Sequence, residues 1–323
     1  MSLPTFTFLT TAEEVADVFA DQIRGKNVLI TGTSINGIGL EAARVLAKYA
    51  NLVIITGYNS ERLKLSEEAV KKEVPGANIR QLVLDLSSLT AVRKAAVEVN
   101  AYPEPLHVLI NNAAAAVGEF KLTEDGLETQ MATDHISPFL LTKLLAPKLL
   151  SAGSASYIPR VVNVSSDTQA LGSGVNLNTV AHPDPEKYSM FDAYCQAKSA
   201  NVLFAIELSK RSEGKINAYS LHPGTIFTNI MKKKETEATL IAGGVLTSDG
   251  RPNTDQMQWK TLAQGAATTV AAAFDPRLES KPGAFLWDSV EANDKIAPHN
   301  SDPETAVKLW IITEGIIGEP FTF

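Results

Sequence analysis

The sequence predicts an α/β protein built on a doubly wound, mainly parallel sheet. Short β-branched runs alternate with helical segments, runs such as Leu52-Val53-Ile54-Ile55 are apolar throughout, and a glycine-rich turn follows the first strand. Strands that are apolar on both faces are typical of parallel sheets covered by helices on each side. We therefore expect seven strands with helices on both faces.

The elements are assigned from periodicity, with apolar residues three or four apart for helices and short apolar runs for strands. Thr11 and Glu14 have the spacing of a capping box, so the first helix is expected to begin after Thr11. The strands are predicted near residues 28–31, 52–56, 79–84, 108–111, 160–164, 216–221 and 284–287. The helices are predicted near residues 12–24, 40–49, 60–73, 88–99, 125–150, 192–211 and 259–274.

Three segments lie outside this alternation. Residues 1–24 precede the first strand and are predicted to be an N-terminal helical extension. Residues 229–258, with a run of three lysines and a Gly-Gly pair, are predicted to be an insertion that forms a substrate lid, and residues 288–323 a C-terminal tail. Since no repeat or linker-like stretch divides the chain, residues 1–323 are expected to form a single domain.

Composition excludes several function classes. The formal net charge is −7, so there is no basic field to hold nucleic acid. The single cysteine, Cys195, excludes an intrachain disulfide, and without HExxH-type histidine spacing no metal site is expected. The apolar stretch at 263–274 is too short to span a bilayer, which takes about 20 residues. We expect a cytoplasmic protein without a membrane span that acts on a small molecule, with a homodimer as one option for its assembly.

The glycine-rich turn lies between the first strand and the next helix, in Thr31-Gly32-Thr33-Ser34-Ile35-Asn36-Gly37-Ile38-Gly39. Glycines at such a turn let the backbone approach a pyrophosphate, whose charge is stabilised by free N–H groups and the helix dipole. A turn that binds nothing is the alternative. The candidate cofactor-binding residues here are Gly32, Thr33, Ser34, Gly37, Ile38 and Gly39.

Two further patterns suggest acid–base chemistry. Tyr194 and Lys198 are four residues apart, which places the phenol and the ammonium on one helical face, where the cation favours the phenolate. Tyr194 could then act as an acid or base near neutral pH. Ser166 ends a buried-type strand at the edge where parallel sheets place their sites, although capping of the strand end would explain it equally well.

Together these features resemble the short-chain dehydrogenase/reductase family, which has a Rossmann fold. The resemblance covers Gly25 to about Trp287, and it is strongest for the retinol-dehydrogenase-type and fungal secondary-metabolism branch, because of the residues before the first strand and the tail. The motifs that carry it are the glycine-rich turn, Leu84-Asp85-Leu86, Asn111-Asn112-Ala113-Ala114, Ser165-Ser166, Tyr194 with Lys198, and His222-Pro223-Gly224 with Thr228.

The resemblance implies a role for each matched residue. Tyr194 would be the general acid/base, Lys198 would lower its pKa and bind the nicotinamide ribose, and Ser166 would orient the substrate oxygen. The remaining matched positions would contact the cofactor: Asp85 and Leu86 the adenine, Asn112 the adenosine ribose, Ile226 and Thr228 the carboxamide and phosphates.

The sequence departs from the family pattern at two places. Four residues separate Gly32 from Gly37 where the family usually has three, so the turn should bulge and Thr33 or Ser34 could bind a phosphate. Asp134 stands where the family usually has an asparagine that anchors a proton relay to the lysine, and an ionised carboxylate accepts hydrogen bonds but donates none. We expect a working relay with altered pH dependence; a helix residue without consequence is the alternative.

Cofactor choice is predicted from the end of the second strand. NAD enzymes generally carry an acidic residue there that pairs with the ribose hydroxyls. This chain has Tyr58 and Asn59, with Arg62 one helical turn later, and no carboxylate that would repel a 2′-phosphate. NADP(H) is therefore expected over NAD.

The sequence thus predicts an NADP(H)-dependent oxidoreductase that interconverts a ketone and a secondary alcohol. Its pocket should be formed by the loop from Ala170 to Met190 and the insertion from Ile230 to Gln258, whose apolar residues favour an apolar, cyclic or aromatic substrate. Two alternatives remain: an epimerase or dehydratase with the same Tyr and Lys, and a regulator or scaffold that binds NADP without catalysis.

Overall fold

The central sheet of the computed structural model, which describes residues 3–115 and 118–323, has eight strands. Their order is β10-β9-β6-β5-β4-β1-β2-β3, and all neighbours are parallel except β10, which runs antiparallel to β9. The strands of this sheet are β1 (Asn27–Ile30), β2 (Leu52–Gly57), β3 (Ile79–Val83), β4 (Val108–Asn111), β5 (Arg160–Val164), β6 (Asn217–His222), β9 (Phe285–Trp287) and β10 (Val290–Glu291). A separate parallel pair consists of β7 (Thr225–Ile226) and β8 (Trp259–Lys260).

Helices cover both faces of the sheet. They are α1 (Ala12–Val18), α2 (Ala20–Ile23), α3 (Ile38–Leu46), α4 (Ser60–Glu73), α5 (Leu89–Asn100), α6 (Thr129–Met131), α7 (Ser137–Leu150), α8 (Leu177–Val180), α9 (Met190–Arg211), α10 (Lys234–Ala242), α11 (Leu262–Phe274) and α12 (Pro303–Ile317). A π-helical segment, Ala132–Ile136, joins α6 to α7, and short 3-10 helices include Asp167–Ala170 and Asn229–Lys232.

The predicted doubly wound α/β sheet is confirmed, with one strand more than expected. The extra strand, β10, is the second half of a hairpin whose two-residue turn is Asp288-Ser289, with φ of 50° and 65°. Two left-handed residues are what a tight hairpin turn of the primed type requires, usually as Asn-Gly. Because neither residue is glycine and β10 is two residues long, the sequence pattern did not indicate the hairpin.

At three helix boundaries the difference from the expectation has a clear structural cause. The predicted helix 12–24 is interrupted at Phe19, whose φ of −104° and ψ of 22° end α1; its buried ring packs edge-on against Phe6 at 5.7 Å. The helix expected from residue 125 begins at Thr129, after the Glu128 carboxylate accepts hydrogen bonds from the first-turn N–H groups. The helix expected from residue 259 begins at Leu262, because Trp259–Lys260 forms β8 and Thr261 caps α11.

The core lies in two layers, one on each side of the sheet. Side chains alternate along β1, so that Val28 and Ile30 join the layer with α1, α3 and α11, whereas Leu29 joins the layer with α5, α7, α9 and α12. The outer side of α7 and α9 is covered by α12, whose Trp310 ring lies 4.7 Å from Phe139 and 6.0 Å from Phe204. Helix α9 is therefore held between the sheet and α12.

The strand order reverses between β1 and β4. The chain proceeds from β1 to β2 and β3 on one side, and then returns to place β4 on the other side of β1. Ligands of open α/β sheets bind outside the carboxyl ends of the strands at such a switch point. The glycine-rich turn after β1, Asn112 after β4, and Ser165-Ser166 after β5 all lie along this edge.

Candidate active site

The turn after β1 is packed so closely that two of its positions admit only glycine. A Cβ on Gly32, whose φ is +72°, would lie 2.7 Å from the Cα of Ala113. A Cβ on Gly39 would lie 2.3 Å from Nδ2 of Asn112 and 2.7 Å from the carbonyl oxygen of Gly32. The glycines therefore bring the start of α3 against the residues that follow β4.

The extra residue of the turn is accommodated by Asn36, whose φ is 60°. The N–H of Gly37 donates to the carbonyl of Ser34 at 3.0 Å, which closes a tight turn around Ile35 and Asn36. Asparagine is one of the few non-glycine residues that readily adopts this left-handed conformation. The spacing of four residues is thus absorbed by a local turn before the helix begins.

The two hydroxyls of the turn have different surroundings. Thr33 is buried, and its Oγ1 donates to the carbonyl of Thr56 at 3.0 Å, so it ties the turn to β2. Ser34 is exposed. Of the two phosphate-binding candidates, Ser34 is therefore the one that can reach a ligand without breaking a hydrogen bond within the turn.

The N-terminus of α3 fits an anionic group. Gly37 is the N-cap, and no side chain caps the helix, so the N–H groups of its first turn, which include those of Ile38 and Gly39, have no capping acceptor. Free N–H groups and the helix dipole together stabilise a phosphate at such a terminus. Close backbone packing at Gly32 and Gly39, beside a helix N-terminus without a side-chain cap, is an arrangement that suits a dinucleotide pyrophosphate.

The candidate adenine- and ribose-binding residues lie along the same edge. Asn112 donates from Nδ2 to the carbonyls of Thr31 at 2.8 Å and Gly32 at 3.0 Å, so it braces the turn. Asp85 is half-buried and accepts from the N–H of Ser87 at 2.9 Å. The side chain of Leu86 is buried in the core, with its carbonyl accepting from Ser137.

The residues after β2 form a small exposed cluster. Tyr58 is 66% exposed, and Arg62 Nη1 lies 3.3 Å from its hydroxyl. The side chain of Asn59 accepts from the Arg62 N–H at 2.9 Å and caps α4. The guanidinium is therefore displayed at the strand end by a capped helix, and no carboxylate lies among the three side chains.

A buried ion pair lies at the centre of the site. Lys198 Nζ is 2.9 Å from Asp134 Oδ2, and both side chains are almost fully shielded from solvent. The other carboxylate oxygen accepts from the Ala115 N–H at 2.7 Å, and Lys198 also donates to the carbonyl of Val164 at 3.3 Å. Asp134 belongs to the π-helical segment, a local distortion that often marks functional sites.

Burial and neighbouring charges shift the pKa values of Lys198 and Tyr194. Burial lowers the pKa of Lys198, but the Asp134 carboxylate outweighs it, so the pKa of Lys198 is raised and the ammonium is retained. Burial raises the pKa of Tyr194; the ammonium of Lys198, 5.4 Å from the centre of its ring, opposes this, and Asp134 adds to the rise. Lys198 thus acts on the pKa of Tyr194 in the predicted direction, but burial and Asp134 outweigh it, so the pKa of Tyr194 is raised.

Ser166 lies beside this pair and is already hydrogen-bonded. Its hydroxyl donates to Asp167 Oδ1 at 2.9 Å and accepts from the Thr168 N–H at 3.3 Å, so it caps the 3-10 helix. The neighbouring Ser165 donates to the carbonyl of Lys198 at 2.6 Å, which fixes α9 against the end of β5. Ser166 therefore caps the 3-10 helix and also lies at the edge of the candidate site.

The segment after β6 lies at the same edge of the sheet and contains the candidate cofactor-binding residues Ile226 and Thr228. Ile226 is buried against α11, where a Cβ on Gly265 would lie 2.6 Å from its Cγ1. Thr228 is half-buried at the start of the Asn229–Lys232 helix and does not cap it, so its hydroxyl is available. Asn229 donates to the carbonyl of Ile35 at 2.7 Å, which links the start of the segment 229–258 to the glycine-rich turn.

A cavity of about 510 Å³ opens beside the first turns of α9. Its wall is formed mainly by the loop between β5 and α9, whereas residues 230–258, which were also expected to line the substrate pocket, supply none of the described lining residues. Ser166, Tyr194 and Lys198 are not among the lining residues either. Apolar and polar side chains alternate around it: Phe120, Glu128, Met131, Val175, Asn176, Thr179, Val180, Pro183, Asp184, Lys187, Tyr188, Ser189, Asp192, Cys195 and Gln196, together with Gly172, Ser173, Gly174 and Ala193.

Within residues 3–115 and 118–323 no group of three or more potential metal ligands comes together. None of the helices in the same ranges combines the length and the apolar character that a membrane span needs.

The sequence matches the family model described as short chain dehydrogenase over residues 26–239. The chain belongs to this family. The match runs from the start of β1 into α10, and so includes the glycine-rich turn, Ser166 and the Tyr194–Lys198 pair.

Relatives within the short-chain dehydrogenase family cover nearly the whole chain. It is 37% identical to the chloroplastic short-chain dehydrogenase TIC 32 B of Brassica napus, over 93% of this chain and 91% of that protein. It is 35% identical to the short-chain dehydrogenase/reductase prx1 of Penicillium rubens, over 90% and 84%, and 31% identical to human retinol dehydrogenase 12, over 92% and 88%. The resemblance to the retinol-dehydrogenase-type and fungal branch is confirmed.

Two residues of this short-chain dehydrogenase were missed in the sequence. Asp167 follows the paired serines, and its acidic character next to a candidate substrate-orienting hydroxyl was the available signal. Gln169 is completely buried and binds the tail: its Nε2 donates to the carbonyl of Lys295 at 2.7 Å, and its Oε1 accepts from Asn300 Nδ2 at 2.8 Å. No pattern in the sequence connects residues so far apart.

Proposed function

We propose that this chain is an NADP(H)-dependent oxidoreductase that interconverts a ketone and a secondary alcohol. The observation that carries the proposal is the convergence of Ser166, Tyr194 and Lys198 at the carboxyl edge of the sheet, within a member of the short-chain dehydrogenase family. The Tyr194 hydroxyl lies within the influence of both other side chains, since Ser166 and Lys198 each act to lower its pKa. Such a group of donors can hold the oxygen of a carbonyl while it is reduced.

The reduced nicotinamide, when bound, supplies the hydride for the carbonyl carbon. In the proposed mechanism the Tyr194 hydroxyl donates its proton to the carbonyl oxygen, and in the reverse direction the phenolate accepts the proton of the alcohol. Lys198 stabilises the phenolate and binds a ribose hydroxyl. Ser166 holds the substrate oxygen, and Asp134 keeps the lysine charged and in place.

The raised pKa of Tyr194 favours the proton donor. A phenol that stays protonated at neutral pH is ready to act as an acid, which is the role required for ketone reduction. Binding of a positively charged oxidised nicotinamide would oppose the two carboxylates near Tyr194 and so favour the phenolate for the reverse reaction. Tyr194 can therefore serve both ketone reduction and alcohol oxidation, and its protonated form favours reduction at neutral pH.

NADP(H) is proposed over NAD because of Arg62. Its guanidinium is displayed beside Tyr58 at the end of β2, where an ionised 2′-phosphate could accept charge-assisted hydrogen bonds. Ser34 and the free N–H groups at the start of α3 would bind the pyrophosphate, and Thr228 the phosphates or the carboxamide. Asp85, Leu86 and Asn112 would line the adenosine end.

The substrate is proposed to be apolar, and cyclic or aromatic. Phe120 and Tyr188 pack edge-on at 5.2 Å in the wall of the cavity, with Met131 and Val180 nearby, which suits a flat apolar body. The proposal also includes a single domain, a cytoplasmic location and a homodimer. Localisation of a tagged chain tests the compartment, for which a chloroplast, as in the name of one relative, is the competing outcome; the molar mass in solution tests the dimer.

A non-catalytic NADP-binding regulator is the second candidate, and the Asp134–Lys198 ion pair is what favours it. A lysine whose ammonium is neutralised by a buried carboxylate stabilises the tyrosine phenolate less than a free lysine would. Such a chain would bind the cofactor and change a partner's behaviour without turnover.

One experiment separates the candidates. Purified protein is mixed with NADPH or NADH and a panel of ketones and quinones, and cofactor oxidation is followed. We expect turnover with NADPH, and we expect Tyr194→Phe to lower kcat by about 10²–10⁴-fold, the usual contribution of a general acid. Tyr49→Phe, which removes a hydroxyl bonded to Asp17 far from the site, is the matched control. Tight NADPH binding without turnover of any member of the panel would establish the regulator instead.

A further inference from the structure

The hydroxyl of Ser166 has one proton, which it donates in a hydrogen bond to the carboxylate of Asp167. Ser166 Oγ donates to Asp167 Oδ1 at 2.9 Å and accepts from the Thr168 N–H at 3.3 Å. A serine hydroxyl has one donor and two acceptor positions. While its proton remains on the Asp167 side, it retains a single lone pair, with which it can accept one more hydrogen bond. Donation to the Tyr194 phenolate, through which Ser166 lowers the pKa of Tyr194, requires that the bond to Asp167 be broken.

This state of Ser166 distinguishes ketones from alcohols. A ketone oxygen only accepts hydrogen bonds, so it gains nothing from Ser166 while the proton remains on the Asp167 side. An alcohol hydroxyl can donate to the remaining lone pair. A carbonyl that becomes an alkoxide during hydride transfer carries negative charge, and it competes for the serine proton far better than the neutral ketone does.

Asp167 is fixed in a position from which it can compete with the substrate for the Ser166 proton. Its N–H donates to His222 Nδ1 at 2.9 Å, and the ring of His222 is fixed against Trp287, with the ring centres 4.2 Å apart. The carboxylate oxygen lies 3.7 Å from the same Nδ1, and burial lowers the pKa of His222, so the ring is a neutral neighbour and not a competing cation. The Asp167 side chain is 47% exposed.

We propose that Asp167 is a positioning residue that holds the Ser166 proton away from the substrate in the ground state and yields it to the developing oxyanion. The inference rests on the proposed function, since it assigns a hydrogen-bonding direction to the residue that would orient the substrate oxygen. Its consequence is that ketone binding is weakened more than alcohol binding, and that the serine bond to the substrate is made mainly in the transition state.

Removal of the carboxylate should therefore separate KM from kcat. In Asp167→Ala no carboxylate competes for the Ser166 proton, so the hydroxyl is free to donate to the ketone. KM for the ketone should then fall about tenfold, whereas kcat for ketone reduction should change less than about threefold. KM for the alcohol should change far less, because the alcohol already has a bond to Ser166. Asp167→Asn, which preserves shape, should lie between the two.

The equilibrium constant of the reaction provides an internal check. Unless cofactor affinity changes, kcat/KM must rise by the same factor for ketone reduction and for alcohol oxidation. A fall of about tenfold in the ketone KM with little change in the alcohol KM must therefore be accompanied by a rise of about tenfold in kcat for alcohol oxidation. Steady-state kinetics in both directions, with the Kd for NADPH measured alongside, give every quantity needed. Asp294→Ala is the matched control, because Asp294 is also exposed in the first turn of a 3-10 helix.

The outcomes are distinct. A fall in the ratio of ketone KM to alcohol KM in Asp167→Ala and Asp167→Asn, absent in Asp294→Ala, supports the inference. An unchanged ratio, or equal changes of both KM values, overturns it while the proposed function stands. If the unaltered chain neither reduces a ketone nor oxidises an alcohol, the proposed function fails and the inference falls with it. If Asp167→Ala does not fold, the isosteric Asp167→Asn decides.

Discussion

Lys198 Nζ and Asp134 Oδ2 form an ion pair at 2.9 Å in the interior of the site, where both side chains are almost completely buried. A buried charge without a partner is strongly unfavourable, so each of these groups stabilises the charged form of the other. The pair fixes the position of the ammonium that faces Tyr194. It also places a negative charge where the family usually has a neutral amide.

Replacing Asp134 by asparagine should move the pH profile of ketone reduction. Asp134 raises the pKa of Tyr194, so its loss lowers that pKa. The proton-donating phenol is present below its pKa and is lost as the pH rises through it, so the alkaline limb of kcat/KM for reduction should move to lower pH. Turnover should be retained within about tenfold, because the tyrosine and lysine remain.

The control for this change is Glu207→Gln, which removes a different buried carboxylate, one that lies on α9 and pairs with Arg211 at 2.6 Å. It should leave the pH profile where it is. A shift of the limb to higher pH in Asp134→Asn, or complete loss of turnover in a folded variant, would contradict the role assigned to Asp134.

Arg62→Ala should weaken NADPH binding selectively. A lost charge-assisted contact to the 2′-phosphate corresponds to a Kd raised by about 10–100-fold, whereas the Kd for NADH should change by less than about threefold. Titration calorimetry with both cofactors measures the two values. Lys64→Ala removes a neighbouring exposed cation from the same helix and should change neither Kd. Tighter binding of NAD than of NADP by the unaltered chain would refute the cofactor assignment.

Gly39→Ala should disrupt cofactor binding through packing alone. Its Cβ would lie 2.3 Å from Asn112 Nδ2 and 2.7 Å from the Gly32 carbonyl, so the turn must move. We expect overpacking to cost about 1–3 kcal/mol of the free energy of unfolding and to raise the Kd for either cofactor more than about tenfold. Gly76→Ala, at a site with nothing within 4 Å, is the control. Unchanged cofactor affinity in Gly39→Ala would show that the turn does not bind the cofactor.

Gln169→Ala should reveal how the loop after Ser166 depends on the tail. The substitution leaves the carbonyl of Lys295 and the Nδ2 of Asn300 without this partner in a buried region, which should lower the free energy of unfolding by about 2–4 kcal/mol. Denaturant unfolding measures the change, and the exposed Gln22→Ala supplies the comparison. Because Ser166 begins the same 3-10 helix, kcat/KM should also fall; a loss of stability without any kinetic effect would mean that the loop keeps its shape without the tail.

The sheet was predictable because strands such as β1 and β2 are buried on both faces and leave short continuous apolar runs. Val28, Leu29 and Ile30 are all fully buried although they face different layers, so one short run identified β1 correctly. Boundaries were less predictable where a side chain outside the pattern decided them. Helix α6 begins later than expected because Glu128 caps it, and α11 begins later than expected because the preceding residues form β8, which pairs with β7.

The site was predictable to the level of which residues come together, but its electrostatics were not. The spacing of Tyr194 and Lys198 correctly indicated a cation near the phenol; it contained no information about burial, which raises the tyrosine pKa, or about the π-helical segment that brings Asp134 to the same ammonium. The bond from Asn229 to the Ile35 carbonyl joins residues 194 positions apart. Contacts of this kind depend on the folded chain and leave no local pattern.

The covering of α9 by α12 has a consequence for the orientation of Tyr194 and Lys198, the proposed catalytic pair. Arg211, in the last turn of α9, lies 4.8 Å from the centre of the Trp310 ring, and Ser165 holds the helix near its other end through the carbonyl of Lys198. A helix anchored at both ends keeps Tyr194 and Lys198 in one arrangement before any ligand arrives. The entropy of orienting them is then lost during folding rather than at each turnover, and binding energy from the substrate remains for the reaction itself.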